Sequence, residues 1–446
     1  MNRSGEEGGL IAPMPRPALS WQAGTPHARD IGDIYYNPED GLAESRHVFA
    51  EGLDLITCWA GRDSYTLCEL GFGTGLNFLL TWSLWEEAGR PCRLCYVGVE
   101  GFPLARADLE RALGAFPVLA EKARSLLAQW PPPYPGFHRL VFAGGRIQLT
   151  LILADVQEAL AALRAPVDGW YLDGFAPDRN PQMWDAAVFG RMAALSRPGA
   201  RVASFSVAGR VRRGLEEAGF AVTRRPGFGR KRHALAAEFR GRPPAPVPRA
   251  QRFPELLAMP PPPADEPIAV IGAGLAGSLL ARFLHDAGRD VFLVDPLAPC
   301  PTQPPVALAA PRPDLGTAPR ARFEMLAGLF AQRFYGAMPD GAGTAVGGVI
   351  QLPAGGRSRH GAEAIVRHLG WEDDWLSLLP QADALWEGFA PRPALLWPRA
   401  GAIDTAAVLA ALRAGLPLRQ AGVSRIMRES TGWRMEDESG SVIACA

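Results

Sequence analysis

Residues 69–76 read Glu69-Leu70-Gly71-Phe72-Gly73-Thr74-Gly75-Leu76, and this stretch decides the fold of the first half of the chain. The apolar run at 65–70 is typical of a buried strand, and residues 77–87 have the spacing of a helix. Glycines between them permit a tight turn and a close approach of the backbone to a ligand. The G-x-G-x-G spacing, with an acid two places before it, favours S-adenosylmethionine over NAD or FAD.

Three further strand-like runs, at 96–100, 149–154 and 169–173, alternate with helical segments. This alternation predicts a parallel, doubly wound α/β sheet. Ligands bind such a sheet at the carboxyl ends of its strands. Those ends carry Gly71, Glu100, Asp155 and Asp173.

An acid after the second strand can accept hydrogen bonds from both ribose hydroxyls, and an acid after the third can meet the adenine amino group. Any one of these acids is also explained as a helix N-cap. The ordered set predicts a class I, Rossmann-like S-adenosylmethionine methyltransferase. The predicted cofactor-binding residues are Glu69, Gly71, Gly73, Gly75, Asn77, Glu100 and Asp155.

A second glycine loop, Val270-Ile271-Gly272-Ala273-Gly274-Leu275-Ala276-Gly277, has the different spacing G-x-G-x-x-G. It follows a strand-like run and opens a helix, and Asp295 stands about 20 residues further on, where a ribose-binding acid belongs. This pattern therefore predicts that the second half has a fold that binds an adenine dinucleotide. The predicted contacts are Gly272, Gly274, Gly277 and Asp295. Two different loops in one chain suggest two successive reactions on one substrate.

The chain has 446 residues, enough for two or three domains, and its 48% hydrophobic and 21% charged residues are typical of globular proteins. No run of about 18 apolar residues is present, so no membrane span is expected. The N-terminus carries Glu6 and Glu7 and no apolar segment, which predicts a cytoplasmic protein without a signal peptide. We expect a monomer.

Six cysteines are scattered along the chain. Cys92-Arg93-Leu94-Cys95 has C-x-x-C spacing but no second Cys or His pair nearby. We therefore expect buried or incidental thiols and no metal.

Formal net charge is zero, but the charges are unevenly distributed. Between Arg191 and Glu255 the sequence has fifteen Lys and Arg residues against four acids. A solvated surface is one explanation, since Arg is the usual cation of this chain; a surface that faces nucleic acid is the interpretation we favour.

Proline density in residues 241–266 is typical of a semi-rigid connector. It divides the chain into a methyltransferase domain at 1–240, with a loose N-terminus at 1–20, the linker at 241–266, and a second domain at 267–446.

The motif Asp173-Gly174-Phe175-Ala176-Pro177, followed by Asn180-Pro181 and Trp184, lies where the transferred methyl group is expected. With the run at 69–78 and the early segments Asp33-Ile34-Tyr35-Tyr36 and 41–49, it resembles the methyltransferase domain of the bifunctional bacterial MnmC-type tRNA wobble-uridine modification enzymes. The resemblance covers about residues 20–240. We expect residues 33–38 to form a turn with exposed aromatic side chains.

The resemblance implies methyl transfer to the primary amine of 5-aminomethyl(-2-thio)uridine in the tRNA anticodon, with Asp173 and Phe175 as catalytic residues. A free Asp has a pKa of ~3.9 and an alkyl ammonium ~10, so direct proton transfer is uphill by ~8 kcal/mol. We therefore expect Asp173 to orient the amine and relay a proton rather than act as a strong base. Burial narrows the difference between the two pKa values, because it raises that of the acid and lowers that of the amine.

Substrate contacts are expected from two sets of residues. Tyr35, Phe175 and Trp184 are candidates to stack on the flipped base, with ordinary packing as the alternative. Arg230, Lys231 and Arg232 are candidates to bind tRNA phosphates, with a solvated loop as the alternative.

The same resemblance implies that the second domain binds FAD and oxidatively removes the carboxymethyl group of 5-carboxymethylaminomethyluridine. Two departures stand out. Thr302-Gln303-Pro304-Pro305 replaces a Ser-Gly-Asn-Pro-like loop, and the sequence stops at Ala446, so we expect only the N-terminal part of an oxidase domain. The alternatives are a non-catalytic docking module, or a small-molecule amine oxidase fused to a methyltransferase.

Overall fold

The structure is a computed structural model that describes residues 10–229, 231–241, 266–296, 304–338, 344–345, 348–352, 361–380, 393–429 and 432–445. The chain forms two compact units. The first comprises Met1–Ala245, Pro313–Leu326 and Glu363–Glu372, and the second comprises Pro246–Arg312, Ala327–Ala362 and Asp373–Ala446. The predicted linker at 241–266 lies almost wholly outside the described residues.

Two sheets contain the strands of the first unit, one of three strands (β1–β3) and one of eight (β4–β11). The strands are β1 (Leu19–Gln22), β2 (Thr25–Ala28), β3 (Asp33–Ile34), β4 (Ser64–Leu70), β5 (Arg93–Glu100), β6 (Gly136–Phe142), β7 (Ile147–Leu153), β8 (Val167–Leu172), β9 (Ser196–Ser204), β10 (Phe220–Pro226) and β11 (His233–Phe239).

The large sheet has the order β10-β11-β9-β8-β4-β5-β7-β6. Its five central strands are parallel, while β6 and β11 run antiparallel to their neighbours β7 and β9. The chain leaves β4 toward β5 and β7, then returns to the other side of β4 for β8 and β9. The strand order therefore reverses at β4 and β8, and such a switch point opens a crevice at the carboxyl ends of the strands. The predicted doubly wound fold is confirmed.

Helices cover both faces of this sheet. They are α1 (Gly41–Ser45), which continues into a π-helical turn (Arg46–Ala50), α2 (Leu55–Trp59), α3 (Leu76–Glu87), α4 (Arg106–Leu113), α5 (Ala120–Gln129), α6 (Val156–Ala162), α7 (Ala186–Leu195) and α8 (Gly209–Glu217), with short 3₁₀ turns at Pro117–Leu119, Ala143–Gly145 and Pro181–Trp184. Because both faces are covered, the central strands are continuous apolar runs rather than alternating ones.

Helix α3 follows the first glycine loop and is apolar on nearly every side. Nine of its twelve residues are buried, which is the pattern of an interior helix. Its first turn carries Asn77, which is 3% exposed. The surrounding core therefore holds the Asn77 side chain in a fixed place beside the strand ends.

The N-terminal segment differs from expectation at Tyr36. We predicted a turn with exposed aromatics at 33–38, but Tyr36 is 9% exposed and packs edge-on against Phe116. Its hydroxyl donates to the carbonyl oxygens of Ala112 (3.1 Å) and Gly24 (3.2 Å). That expectation is wrong because the partners of Tyr36 are distant in sequence. Earlier in this segment Ile11 is also buried, and the Met14 N–H donates to the Pro133 carbonyl oxygen at 2.7 Å.

Beyond residue 266 the chain begins with the predicted βαβ unit: β12 (Ile268–Ile271), α9 (Leu275–Asp286) and β13 (Val291–Asp295), whose strands pair in parallel. The remaining elements are β14 (Val306–Ala309), α10 (Pro319–Gly336), β15 (Thr344–Ala345), β16 (Val349–Gln351), α11 (Ala362–Leu369), β17 (Ser377–Leu379), β18 (Ala394–Trp397), β19 (Gly401–Asp404), α12 (Thr405–Arg413), β20 (Leu418–Gln420), β21 (Arg425–Glu429), β22 (Gly432–Glu436) and β23 (Val442–Cys445). Strand β20 extends the β12-β13 sheet in parallel.

Among the described residues, no helix is long and apolar enough to cross a membrane. Within the same residues, no group of three or more His, Cys, Asp or Glu side chains has the arrangement of a metal site.

Candidate active site

A cavity of about 540 Å³ lies in the first unit at the carboxyl ends of the central strands. Its volume is in the range of pockets that bind small molecules, ~300–1,000 Å³. The cavity brings together nine of the residues predicted from the sequence. They are Tyr35, Gly71, Gly73, Asn77, Glu100, Asp155, Asp173, Phe175 and Lys231.

The first glycine loop packs directly against the end of β8. Gly71 has φ +89°, and a Cβ placed there would lie 2.6 Å from the carbonyl oxygen of Asp173 and 2.8 Å from the Cα of Gly174. Only glycine fits both the backbone conformation and this contact. Gly75, at the start of α3, has φ +70° and its Cβ would meet the Phe72 ring at 2.9 Å. Gly75 shapes the loop without lining the cavity.

Glu100 ends β5 and is 8% exposed. Its carboxylate accepts hydrogen bonds from the N–H groups of Gly73 (2.7 Å) and Phe102 (2.8 Å), and burial raises its pKa. These bonds hold the carboxylate at the cavity wall, where the fold expects a ribose.

Asp155 follows β7 and is exposed. Its side chain accepts a hydrogen bond from the Gln157 N–H at 2.8 Å and so caps α6, while the residue also lines the cavity. The two interpretations left open by the sequence, helix cap and cofactor contact, are compatible in this geometry.

A chain of hydrogen bonds runs beneath the cavity floor from Tyr96 to Asp173. The Tyr96 hydroxyl bonds to Glu69 Oε2 at 2.7 Å. The Asn77 Nδ2 group donates to Glu69 Oε1 at 2.7 Å and to Asp173 Oδ2 at 2.6 Å. Asn77 therefore links a buried acid to an acid on the cavity wall.

Asp173 is the central ionisable group of the cavity. Its pKa is raised to about 8, chiefly by burial and also by the nearby acids Glu44 and Asp33, while the hydrogen bond from Asn77 and the charge of Lys231 oppose the rise. Its Oδ1 makes no hydrogen bond within the described residues. A carboxyl group with this pKa exchanges its proton near neutral pH, as an acid–base group must.

The N-terminal segment supplies one wall of the cavity. Asp33 Oδ2 accepts a hydrogen bond from the Ala176 N–H at 2.8 Å and so fastens β3 to the loop after β8. This places the Tyr35 ring edge-on to Phe175, with centroids 5.3 Å apart. Two aromatic side chains thus line the same cavity as Asp173.

The turn between β10 and β11 lies at the same edge of the sheet, because β10 runs in the direction of the central strands. Lys231 in this turn donates to Glu44 Oε1 at 3.0 Å and lies 4.7 Å from the centroid of the Phe205 ring. Glu44 and Phe205 both line the cavity and were not predicted as site residues. Glu44 belongs to the segment at 41–49 that resembles the family, and this resemblance is the sequence feature that could have identified Glu44 as a site residue.

Besides Gly75, three predicted residues do not line the cavity, and a fourth is not among the described residues. Glu69 is 1% exposed and lies behind the cavity wall. Trp184 is 4% exposed, and its indole N–H donates to the Phe175 carbonyl oxygen at 2.9 Å. Arg232 is exposed near the turn, and Arg230 lies outside the described residues.

The dinucleotide loop of the second unit has the expected local geometry. Asp295 Oδ2 accepts a hydrogen bond from the Ala273 N–H at 2.7 Å. A Cβ at Gly277 would lie 1.8 Å from the Gly272 carbonyl oxygen, whereas a Cβ at Gly274 would meet nothing within 4 Å. Gly277 therefore lets α9 pack against the loop, and Gly274 leaves open the space that a pyrophosphate needs at a helix N-terminus. The residues present fit a dinucleotide such as FAD.

Comparison with known proteins agrees with this geometry. A family model described as "S-adenosyl-L-methionine-dependent methyltransferase" matches residues 117–240, within the first unit. The "tRNA 5-methylaminomethyl-2-thiouridine biosynthesis bifunctional protein MnmC" of Maricaulis maris is 40% identical over 427 residues, which are 95% of this chain and 68% of the relative. The chain belongs to the MnmC family.

Other MnmC proteins show the same relation. The protein of Thiobacillus denitrificans is 36% identical over 437 residues, covering 96% of this chain and 68% of the relative, and that of Magnetococcus marinus is 37% identical over 438 residues, covering 94% and 64%. The chain thus spans about two thirds of the length of these curated MnmC relatives. MnmC proteins use two cofactors: S-adenosylmethionine in the methyltransferase domain and FAD in the oxidoreductase domain.

Among solved structures, "MNMC2 from Aquifex Aeolicus" is similar with a TM-score of 0.41 and 22% identity, over 55% of this chain and 74% of that one.

Proposed function

We propose that the first unit transfers the methyl group of S-adenosylmethionine to the primary amine of 5-aminomethyl(-2-thio)uridine at the wobble position of tRNA. The printed names of the MnmC relatives support the substrate class. The observation that carries the proposal is the placement of Asp173 on the cavity wall. One of its oxygens is held by Asn77, and the other is free to meet an amine beside the cofactor pocket.

The reaction requires a free amine. The substrate arrives as an ammonium ion and must lose a proton before its nitrogen lone pair attacks the sulfonium methyl carbon. The new N–C bond forms as the C–S bond breaks, which leaves neutral S-adenosylhomocysteine and a methylated ammonium that carries the positive charge. Asp173 orients the ammonium and takes its proton.

The pKa of Asp173 makes this proton transfer accessible. With a pKa of about 8 for Asp173 and ~10 for an alkyl ammonium, the transfer is uphill by ~2 units, or ~3 kcal/mol. The corresponding value for a free Asp is ~8 kcal/mol. Burial of the carboxyl group thus removes more than half of the unfavourable difference, so Asp173 acts as both acceptor and base.

The aromatic residues have two proposed roles. Tyr35 and Phe175 line the cavity and are placed to contact the flipped uracil ring. Trp184 supports the cavity wall. Its indole N–H donates to the Phe175 carbonyl oxygen, and its ring packs edge-on to the Phe205 ring with centroids 6.2 Å apart. A direct stacking role remains a prediction for Tyr35 and Phe175, and we propose a supporting role for Trp184.

We further propose that the β10–β11 turn binds the tRNA backbone. Arg224 and Arg232 are exposed there and Lys231 stands at the cavity mouth. Cations at this edge would contact phosphates while the base enters the cavity. Arg230, which the sequence analysis named with Lys231 and Arg232, lies outside the described residues.

For the second unit we propose the preceding step, the removal of the carboxymethyl group from 5-carboxymethylaminomethyl(-2-thio)uridine. Oxidation of the N–CH₂ bond of the carboxymethyl group would pass two electrons to FAD held by Gly272, Gly274, Gly277 and Asp295, and water would then release that group as a two-carbon aldehyde acid. The absorbance spectrum of the purified chain tests this. A bound-flavin spectrum supports the oxidase, and a colourless protein that takes up no added FAD supports a docking module.

The methyl transfer is tested with tritium-labelled S-adenosylmethionine and tRNA that lacks the final methylation. We expect label in tRNA from cells that accumulate the aminomethyl form, and none in fully modified tRNA. Equal labelling of both, or label in neither, would overturn the proposal.

A further inference from the structure

An ion pair stands on the wall of the cavity, and the methyl transfer described above gives this pair no role. Lys231 donates to Glu44 Oε1 at 3.0 Å, and both residues line the cavity together with Asp173. The side chain of Glu44 is 13% exposed, whereas that of Lys231 is 52% exposed. The carboxylate therefore belongs to the wall, while the lysine lies largely in solvent.

The two partners of this pair differ in how firmly they are held. Glu44 is on α1, whose N-terminus is capped by Asp40 through a 2.9 Å hydrogen bond from the Ala43 N–H, and Ser45 at the end of α1 is buried. Lys231 reaches the pair from the β10–β11 turn on a flexible four-carbon stem. Lys231 is therefore the partner that can leave.

The Lys231 ammonium occupies a site of the kind that binds primary ammonium ions. The Glu44 carboxylate meets it at hydrogen-bond distance, and the centroid of the Phe205 ring lies 4.7 Å from Nζ. Carboxylates and aromatic faces both attract cations. A lysine side chain ends in a methylene that carries an ammonium, and 5-aminomethyluridine carries the same group on its ring. The lysine thus has the chemistry of the substrate group.

Asp173 alone offers a substrate ammonium little charge. Its pKa of about 8 leaves the carboxyl group largely protonated at neutral pH. Glu44 and Lys231 lie near enough to act on it, since the charge of Glu44 raises the pKa of Asp173 and the charge of Lys231 lowers it. A cation held at Glu44 is therefore within electrostatic reach of Asp173.

We propose that Glu44 binds the ammonium group of the substrate, and that Lys231 occupies this site until the substrate displaces it. This inference rests on the proposed function and adds a binding residue to the same cavity. An exposed ion pair is weak, so its exchange for a substrate ammonium costs little. A uridine without the aminomethyl group carries no cation and cannot make the exchange. The displaced Lys231 is then available to a tRNA phosphate.

The other lysine of the chain provides a matched comparison. The sequence has two lysines, Lys122 and Lys231. Lys122 pairs with Glu86 at 2.8 Å, and its Nζ lies 5.9 Å from the centroid of the Trp82 ring. None of these three residues is among those that line the cavity. A lysine, a glutamate and an aromatic ring thus form a similar group away from the site, and its substitutions serve as controls.

Binding of the nucleoside 5-aminomethyluridine tests the exchange, with 5-methyluridine as the neutral ligand. Ligand-observed NMR with S-adenosylhomocysteine present measures both affinities without turnover. Lys231→Met removes the competing ammonium, so we expect the aminomethyl nucleoside to bind about threefold more tightly. Glu44→Gln removes the charge that attracts it, so we expect about tenfold weaker binding. Neither variant should change the affinity for 5-methyluridine, and Lys122→Met and Glu86→Gln should change neither affinity.

The kinetics on aminomethyl-tRNA separate a binding role of Glu44 from a role in the chemical step. A group that binds substrate and transition state alike affects KM and not kcat. We expect Glu44→Gln to raise KM about tenfold and to leave kcat within about threefold, whereas Asp173→Asn lowers kcat. A lower kcat with unchanged KM in Glu44→Gln would overturn the binding role.

The nucleoside measurement also separates this inference from the proposed function. Unchanged or weaker binding in Lys231→Met would show that Lys231 does not compete with the ligand and would overturn the proposal. Unchanged binding in Glu44→Gln, or no binding of 5-aminomethyluridine to any variant, would do the same. If the affinities rank as stated but no tRNA is methylated, the proposed function fails and the ammonium site stands. If tRNA is methylated and the affinities do not rank as stated, the ammonium site alone fails.

Discussion

At the scale of single residues, the site depends on the proton affinity of Asp173. Its raised pKa of about 8 means that the carboxyl group is largely protonated at neutral pH and becomes a base as the pH rises. The kcat/KM of methyl transfer should therefore rise about tenfold per pH unit below pH 8 and level off above it. Initial rates between pH 6 and 9.5 on aminomethyl-tRNA check this, and a flat profile would contradict the role of Asp173.

Replacing Asp173 tests the same group directly. Asp173→Asn keeps the shape and can still accept the hydrogen bond from Asn77, but it cannot take a proton. We expect methyl transfer to fall by about 10²- to 10⁴-fold, with binding of S-adenosylmethionine changed little. Single-turnover rates and calorimetric titration measure the two quantities. Near-normal turnover in the variant would show that Asp173 does not take the proton from the ammonium.

The same substitution should stabilise the fold. The pKa of Asp173 is higher in the folded chain than in the unfolded one, so the folded state holds the proton more tightly, and stability is lost as the pH rises from about 4 to about 8. Asp173→Asn removes that loss. Its free energy of unfolding should exceed that of the unchanged protein by about 1–3 kcal/mol at pH 8.5 and match it at pH 4. Urea unfolding at both pH values measures this difference. A variant less stable than the unchanged protein at pH 8.5 would contradict the claim that ionised Asp173 destabilises the fold.

At the scale of elements, the glycine loop connects β4 to α3 and packs against the end of β8. Gly71 and Gly61 both have positive φ, +89° and +69°, but a Cβ at Gly61 meets nothing within 4 Å while one at Gly71 strikes the backbone of Asp173. Both alanine variants should lose about 1 kcal/mol of stability to backbone strain, and Gly71→Ala should lose more because its Cβ would lie 2.6 Å from the Asp173 carbonyl oxygen. Only Gly71→Ala should also lose affinity for S-adenosylmethionine, by about tenfold or more. Equal affinities in titration calorimetry would show that this contact does not shape the pocket.

Some of these elements are predictable from the sequence and some of their contacts are not. Strands β4 and β8 and the βαβ unit at 268–295 were predictable because buried parallel strands are continuous apolar runs that end at glycine or acid. Burial of Tyr36 was not, since its partners Gly24 and Ala112 meet it only in the folded chain. The sequence placed Glu69 with the cofactor; in the structure its carboxyl group bonds to Asn77 and does not line the cavity, and its contact with the cofactor stays a prediction.

At the scale of the whole molecule, the question is how a tRNA reaches the cavity. Arg224 and Arg232 are exposed beside the β10–β11 turn, at the edge where the cavity opens. Arg164 follows the end of α6 at the opposite edge of the sheet, is exposed, and serves as the control for each single substitution. Arg224→Glu and Arg232→Glu, each made alone, should weaken tRNA binding and lower the salt dependence by about one unit of slope per lost phosphate contact. Arg164→Glu should do neither; equal effects from both edges would contradict a phosphate-binding turn.

The central claim is that this chain methylates the aminomethyl nitrogen of a wobble uridine. The most direct measurement is mass spectrometry of nucleosides from aminomethyl-tRNA after incubation with S-adenosylmethionine and the purified chain. We expect 5-aminomethyl(-2-thio)uridine to be converted to its methylaminomethyl form, and the Asp173→Asn chain to leave it unconverted. An unchanged nucleoside with the unsubstituted chain, or methyl groups at other nucleosides only, would contradict it.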